Sequence, residues 1–223
     1  MKTTLNKIRE SKISRAEWKE LLTCLGKKKA DDEELSLVTI IDCIGVYGAA
    51  WCLCEIDGYI KEKILFATWC ARQCQHMMGD KSLFALKVAE RFAHGKASQA
   101  ELQIAADGAM QETKDAHADN ESAFKEMPIF YKNGSSILPR VGKTMGKLFA
   151  NSAAAYAANS GFYKASIFNA VVKSIEALIH KETHGMFLKY SITKCNDAYS
   201  SAYKDTMNSI EKELRRICTA CET

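Results

Sequence analysis

The chain has 223 residues, with 31 Lys/Arg against 27 Asp/Glu for a formal net charge of +4, and 47% apolar residues. That apolar share is enough for a real core and excludes wholesale disorder, and the length allows one large domain or two small ones. Residues 1–10 lack the apolar run of a secretion signal, and no stretch reaches the ~18 uninterrupted apolar residues of a membrane span, so no membrane partner is expected and the compartment is read as reducing cytoplasm.

Helical periodicity dominates from the start. A short helix is expected over Thr3 to Glu10, and Ser14-Arg15-Ala16-Glu17 is a capping box that opens a second helix ending near Gly26. Lys27-Lys28-Lys29 followed by Asp31-Asp32-Glu33-Glu34 reads as a self-compensating charged connector. Leu35 to Ile44 and Val46 to Ile56 read as two buried helices broken at Gly45, and Asp57-Gly58 as a turn. A helix from Tyr59 to Met78 carries Phe66, Trp69, Cys70, Cys74 and Met77 on one apolar stripe. The next follows Asp80 and stops at Gly95. Ser98-Gln99-Ala100-Glu101 is a second capping box, and Leu102, Ala105, Ala106 and Ala109 continue its buried face. Beyond Met110 the apolar pattern thins, and the helix is expected to project or fray. Met127 to Pro139 reads as a loop with a tight turn at Asn133-Gly134. An alanine-rich helix runs from Val141 through Ala158, the next ends at Gly185, and the last covers Met186 to Cys221. The expected fold is all-α: a multi-helix array or bundle with long antiparallel helices in its C-terminal half.

Charge is unevenly spread. Residues 1–127 hold 18 Lys/Arg against 20 Asp/Glu, whereas residues 128–223 hold 13 against 7. Between Met127 and Ile175 there is no acidic residue, yet Lys132, Arg140, Lys143, Lys147, Lys164 and Lys173 all fall there. Arg140, Lys143 and Lys147 stand at i, i+3 and i+7, which makes a basic stripe on one helix face. Such a stripe sets up a positive field that an acidic partner reads. Tyr131 and Phe162 lie in the same run and are candidates for stacking on bases.

Chemistry-bearing clusters are incomplete. Nine cysteines are an odd number, and in a reducing compartment they count mostly as small core hydrophobes. Cys70 and Cys74 are one helical turn apart, as two zinc ligands would be, but share their stripe with Phe66 and Trp69. Cys218-x-x-Cys221 has redox spacing without a following helix N-terminus to lower a thiol pKa. His180 and His184 lack the glutamate that a metalloprotease needs directly after the first histidine. Gly142-Lys143-Thr144 lacks the upstream glycine and strand of a phosphate loop, since Ile137 stands where that glycine belongs. His117 among Asp115, Asp119 and Glu121 resembles a base with carboxylate orienters, but no nucleophile accompanies it. No catalytic residue, metal ligand or cofactor is therefore assigned.

One further pattern runs from Leu35-Ser36-Leu37 and Asp42 through Trp51-Cys52-Leu53, Phe66-Ala67 and Trp69-Cys70-Ala71-Arg72. It continues in Ala85-Leu86 and Ala89-Glu90-Arg91-Phe92-Ala93, with Gly95, Ser98 and Glu101-Leu102. These residues resemble a helical module of bacterial and phage-borne proteins, some of them immunity proteins of toxin systems and many without an assigned role. The resemblance covers about residues 5–110 and is one of packing. It implies no active site, but a protein that works by capping a toxin. A phage-borne member would block a host defence complex, an anti-CRISPR-like role.

Two segments follow: residues 1–127 as the immunity-like module, and residues 128–223 as a basic long-helix region packed on it. The function expected is a non-catalytic inhibitor or immunity-type protein that binds an acidic protein surface. Lys132, Arg140, Lys143, Lys147, Lys164, Tyr131 and Phe162 are the expected contacts. The alternative is a nucleic-acid-binding helical protein using the same 130–173 region. Whether the long helices pair within one chain or across a homodimer is left open.

Overall fold

The computed structural model describes the backbone of residues 1–10, 13–131, 138–160, 164–187 and 192–221, and the side chains of residues 1–10, 13–123, 125, 143–160, 166–178 and 200–221. Within them run α1 (Leu5–Glu10), α2 (Arg15–Cys24), α3 (Leu37–Glu55), α4 (Ile60–Arg72), α5 (Asp80–Ala93), α6 (Gln99–Tyr131), α7 (Leu138–Asn159), α8 (Lys164–Phe187) and α9 (Ile192–Ala220). A 3-10 turn covers Gln75–Met77, and two-residue strands β1 (Lys2–Thr3) and β2 (Leu35–Ser36) pair antiparallel, Lys2 opposite Ser36 and Thr3 opposite Leu35. The molecule is an all-α multi-helix array, as its periodicity predicts.

Local chemistry sets the helix ends. Ser14 accepts from the Glu17 amide at 3.2 Å while its hydroxyl meets the Glu17 carboxylate at 2.7 Å. The Glu101 amide donates to the Ser98 hydroxyl at 3.1 Å, and the Ser98 amide donates to the Glu101 carboxylate at 2.7 Å. Both capping boxes therefore form, and each satisfies N–H groups that the first turn would leave open. Gly45 breaks α3 at the expected place with φ +71° and ψ 175°, and no atom would crowd a Cβ there. The constraint at Gly45 is thus conformational rather than steric. The charged connector after α2 also folds as expected: Lys27 lies 2.7 Å from both Asp31 and Glu33.

Four expectations need correction. Helix α6 does not fray after Met110 but continues to Tyr131, so a loop from Met127 is ruled out up to that residue. Its inward face there consists of small residues, Ala116, Asn120 and Ala123, which carry little hydrophobic signal yet are buried. Helix α8 passes through Gly185 to Phe187, and α9 begins only at Ile192. Helix α4 stops at Arg72, and Cys74 precedes the 3-10 turn instead of continuing the helix.

The fourth correction concerns the cysteines. Cys24, the last residue of α2, is bonded to Cys43 on α3, with Cα atoms 5.5 Å apart. Spacing of 19 residues gives no hint of this pair, because the connector and the β1–β2 pairing bring α2 back onto α3. The other described cysteines remain thiols, and Cys52, Cys54, Cys70, Cys74 and Cys218 are buried as small hydrophobes.

Core residues come from both sides of position 127. One cluster joins Leu37, Leu53 and Phe66 to Ala150, Ala154, Val171, Ile210 and Leu214. A second gathers Ile64, Val88, Ala89 and Leu102 with Ala155 and Ala158. Helix α7 therefore stands between the two clusters and packs against α4, α5, α6 and α8. Contacts of Ser82 with Glu112 and Arg91 with Glu101 show α5 and α6 to be antiparallel, and those of Asn151 with Glu112 and Thr144 with Asn120 do the same for α6 and α7. Among the described residues one helix, Leu37–Glu55, is long and apolar enough to cross a membrane, and 56% of its apolar window is buried within the protein.

Candidate binding surfaces around helix α7

The central stretch of α7 owes its position to side-chain size. Ala150, Ala153, Ala154, Ala155, Ala157 and Ala158 are all fully buried. Methyl side chains let neighbouring backbones approach closely on every side. Polar anchors then fix the register. Thr144 donates to the Asn120 carbonyl oxygen at 2.9 Å, and fully buried Asn151 accepts from the Gly79 amide at 3.1 Å. Its own amide donates to the Glu112 backbone carbonyl at 3.4 Å. The Glu112 carboxylate accepts from the Ser82 amide at 2.8 Å and its hydroxyl at 2.6 Å, which supplies a negative group at the N-terminus of α5. At Gly79 an added Cβ would stand 2.0 Å from that carboxylate.

The N-terminal turns of α7 carry the described part of the basic stripe. Lys143 and Lys147 are exposed, one turn apart, and neither makes an ion pair among the described residues. The backbone of Arg140 sits in the first turn of the same helix. The side chains of Arg140, Lys164 and Tyr131, together with Lys132 and Phe162, lie outside the described residues, as do the side chains of His180 and His184. Lys173 does not join the stripe. It sits on α8, 2.7 Å from the Glu176 carboxylate and 5.0 Å above the Phe149 ring.

A cleft opens on a different side of α7. It encloses about 410 Å³ and is floored by Leu148 and Phe149, with Ser152 beside them. Lys114 and His117 of α6 and Lys173 of α8 form its rim. An α-helix turns about 100° per residue, so Arg140, Lys143 and Lys147 span an arc of about 60°, with Leu148 about 110° and Phe149 and Ser152 about 150° from its centre. Stripe and cleft are therefore separate surfaces. His117 approaches Glu121 at 3.6 Å, both well exposed, while Asp115 takes the Gln111 amide at 2.9 Å. Lys114 and Phe149 were not legible as site residues, because the α6 segment that carries Lys114 reads as a fraying end.

The cysteine pairs lack metal-ligand character. Burial raises the Cys70 thiol well above its usual range and pushes Cys74 up to about 12. The Cys74 sulfur donates to the Ala71 carbonyl at 3.2 Å. Among the described residues no three His, Cys, Asp or Glu side chains converge as a metal site would require. Cys70 instead closes the inner end of a 220 Å³ cavity between α4, α8 and α9, beside Leu178, Asp205 and Ile210. Cys218 and Cys221 stay unbonded to each other. In class, then, the molecule is an all-α multi-helix array. Comparison with family models, curated proteins and solved structures finds no match to this chain.

Proposed function

We propose that the protein is a non-catalytic, immunity-type inhibitor that blocks an acidic partner protein with the N-terminal turns of α7. The observation that supports this is the pair Lys143 and Lys147: exposed, aligned on one face, and without a carboxylate among the described residues. Lys173, by contrast, has its charge compensated by Glu176. Uncompensated cations have no internal ion pair to give up when they meet an acidic surface, and they steer encounter from a distance. A phage-borne protein of this kind would cap a toxin or a defence complex. On this reading the partner is met in the cytoplasm, where Cys24 and Cys43 would stand reduced.

The test is affinity capture from host lysate at two salt concentrations, with the wild type and a Lys143→Glu/Lys147→Glu variant as parallel baits. A partner retained by the wild type at low salt, weakened at high salt and lost from the variant supports the reading. Equal retention by both baits refutes it. A salt-dependent gel shift with mixed DNA and RNA, abolished by the same substitutions, would move the assignment to a nucleic-acid-binding helical protein.

A further inference from the structure

The cleft between α6, α7 and α8 has a chemistry of its own. Its volume of about 410 Å³ falls within the range of small-molecule sites, roughly 300–1,000 Å³. Its two hydroxyls are already committed as donors: Thr113 donates to the Ala109 carbonyl at 2.9 Å and Ser152 to the Leu148 carbonyl at 2.8 Å. Among the described residues, the donors left to face a ligand are therefore the side chains of Lys114, His117 and Lys173. Lys114 makes no ion pair among the described residues, whereas Lys173 and His117 have Glu176 and Glu121 as neighbours. Neither of those carboxylates lines the cleft. The floor of Leu148 and Phe149 is apolar, and the Lys173 ammonium over the Phe149 ring sets a cation at its margin.

We propose that this cleft binds a small amphipathic anion. The anionic head, a carboxylate or phosphate, is held by Lys114 and Lys173, and the apolar body rests on Leu148 and Phe149. A rim carrying the Lys114 cation over an apolar floor selects against neutral and cationic analogues with the same body, because they leave that ammonium without a counter-charge. The site is independent of the Lys143/Lys147 surface, which lies on another side of α7, so the two assignments stand or fall separately.

Calorimetric titration of decanoate and of decylammonium into the full chain tests this with one tail and two opposite heads. Decanoate binds one to one, and decylammonium binds at least about tenfold more weakly. Lys114→Glu, on an exposed side chain and so without consequence for folding, removes or inverts that preference. Lys173→Gln weakens decanoate about tenfold as well. Lys143→Glu/Lys147→Glu leaves decanoate affinity unchanged. Absence of decanoate binding, equal affinity for the two heads, or an unchanged preference in folded Lys114→Glu would each overturn the assignment. So would loss of decanoate binding in the Lys143→Glu/Lys147→Glu variant.

Discussion

Removing the Cys24–Cys43 bond should lower stability by an amount that the chain connectivity sets. The bond closes a loop with a sequence separation of 19 residues. The chain-entropy relation for a loop of that size gives about 3 kcal/mol, through the extra freedom of the opened unfolded chain. For a protein of this length, that loss corresponds to a melting temperature lower by about 6–12 °C. The surface ion pairs of the same loop, Lys27 with Asp31 and Glu33, cannot replace it, since solvent screens such exposed pairs. Cys24 is exposed and Cys43 half-buried, so reductant reaches the bond in the folded protein. The assay is urea unfolding followed by far-ultraviolet circular dichroism, with and without reductant, alongside a Cys24→Ser/Cys43→Ser variant. Reduced wild type and oxidised variant should unfold together, below the oxidised wild type. Coincident curves for all three, or a full count of nine thiols in unreduced denatured protein, would refute the reasoning.

Other outcomes follow from the same geometry. Asn151→Ala should cost about 1–3 kcal/mol by leaving the Gly79 amide and the Glu112 carbonyl without their partner, read as a shift in the urea midpoint. Ala154→Leu should cost about 1–3 kcal/mol by overpacking α7, and an unchanged midpoint would show that the helix has room there. Native-state alkylation at mildly alkaline pH, read by mass spectrometry, should spare Cys52 and Cys74, whose thiols burial pushes up to about 12. The Glu101 carboxyl is held below the usual glutamate range, first by the Ser98 amide and then by the Ser98 hydroxyl and Arg91. Its contribution is therefore present above the unfolded value of about pH 4.3 and lost as pH falls through the lower folded value. The melting-temperature gap between wild type and Glu101→Gln should accordingly be widest near neutrality and close in acid.

Much of the helical frame was legible because its signals are local. A serine and a glutamate three residues apart wrote the starts of α2 and α6, and Gly26, Gly45, Gly58 and Gly95 all adopt the positive φ that ends or breaks a helix. What was missed depends on partners distant in the chain. The continuation of α6 rests on alanines and one asparagine that gain meaning only when α7 lies against them. Gly185 looks like a stop but sits inside α8, because the intrinsic cost of a single glycine, about 1 kcal/mol, does not by itself end a helix. The pairing of Cys24 with Cys43 follows from a hairpin-like return of the connector, which no spacing rule encodes. Of the candidate site, the alignment of Lys143 and Lys147 was readable from helical periodicity. The cleft was not, since it draws its walls from three helices.

The alanine-lined middle of α7 divides that helix into two stretches with different evolutionary freedom. Where six methyl groups touch neighbours all round, almost any replacement is punished. The lysines of the leading turns, Lys143 and Lys147, are exposed and meet no such penalty. A lineage could exchange those charges to follow a changing target, one substitution at a time, while the scaffold beneath stays intact.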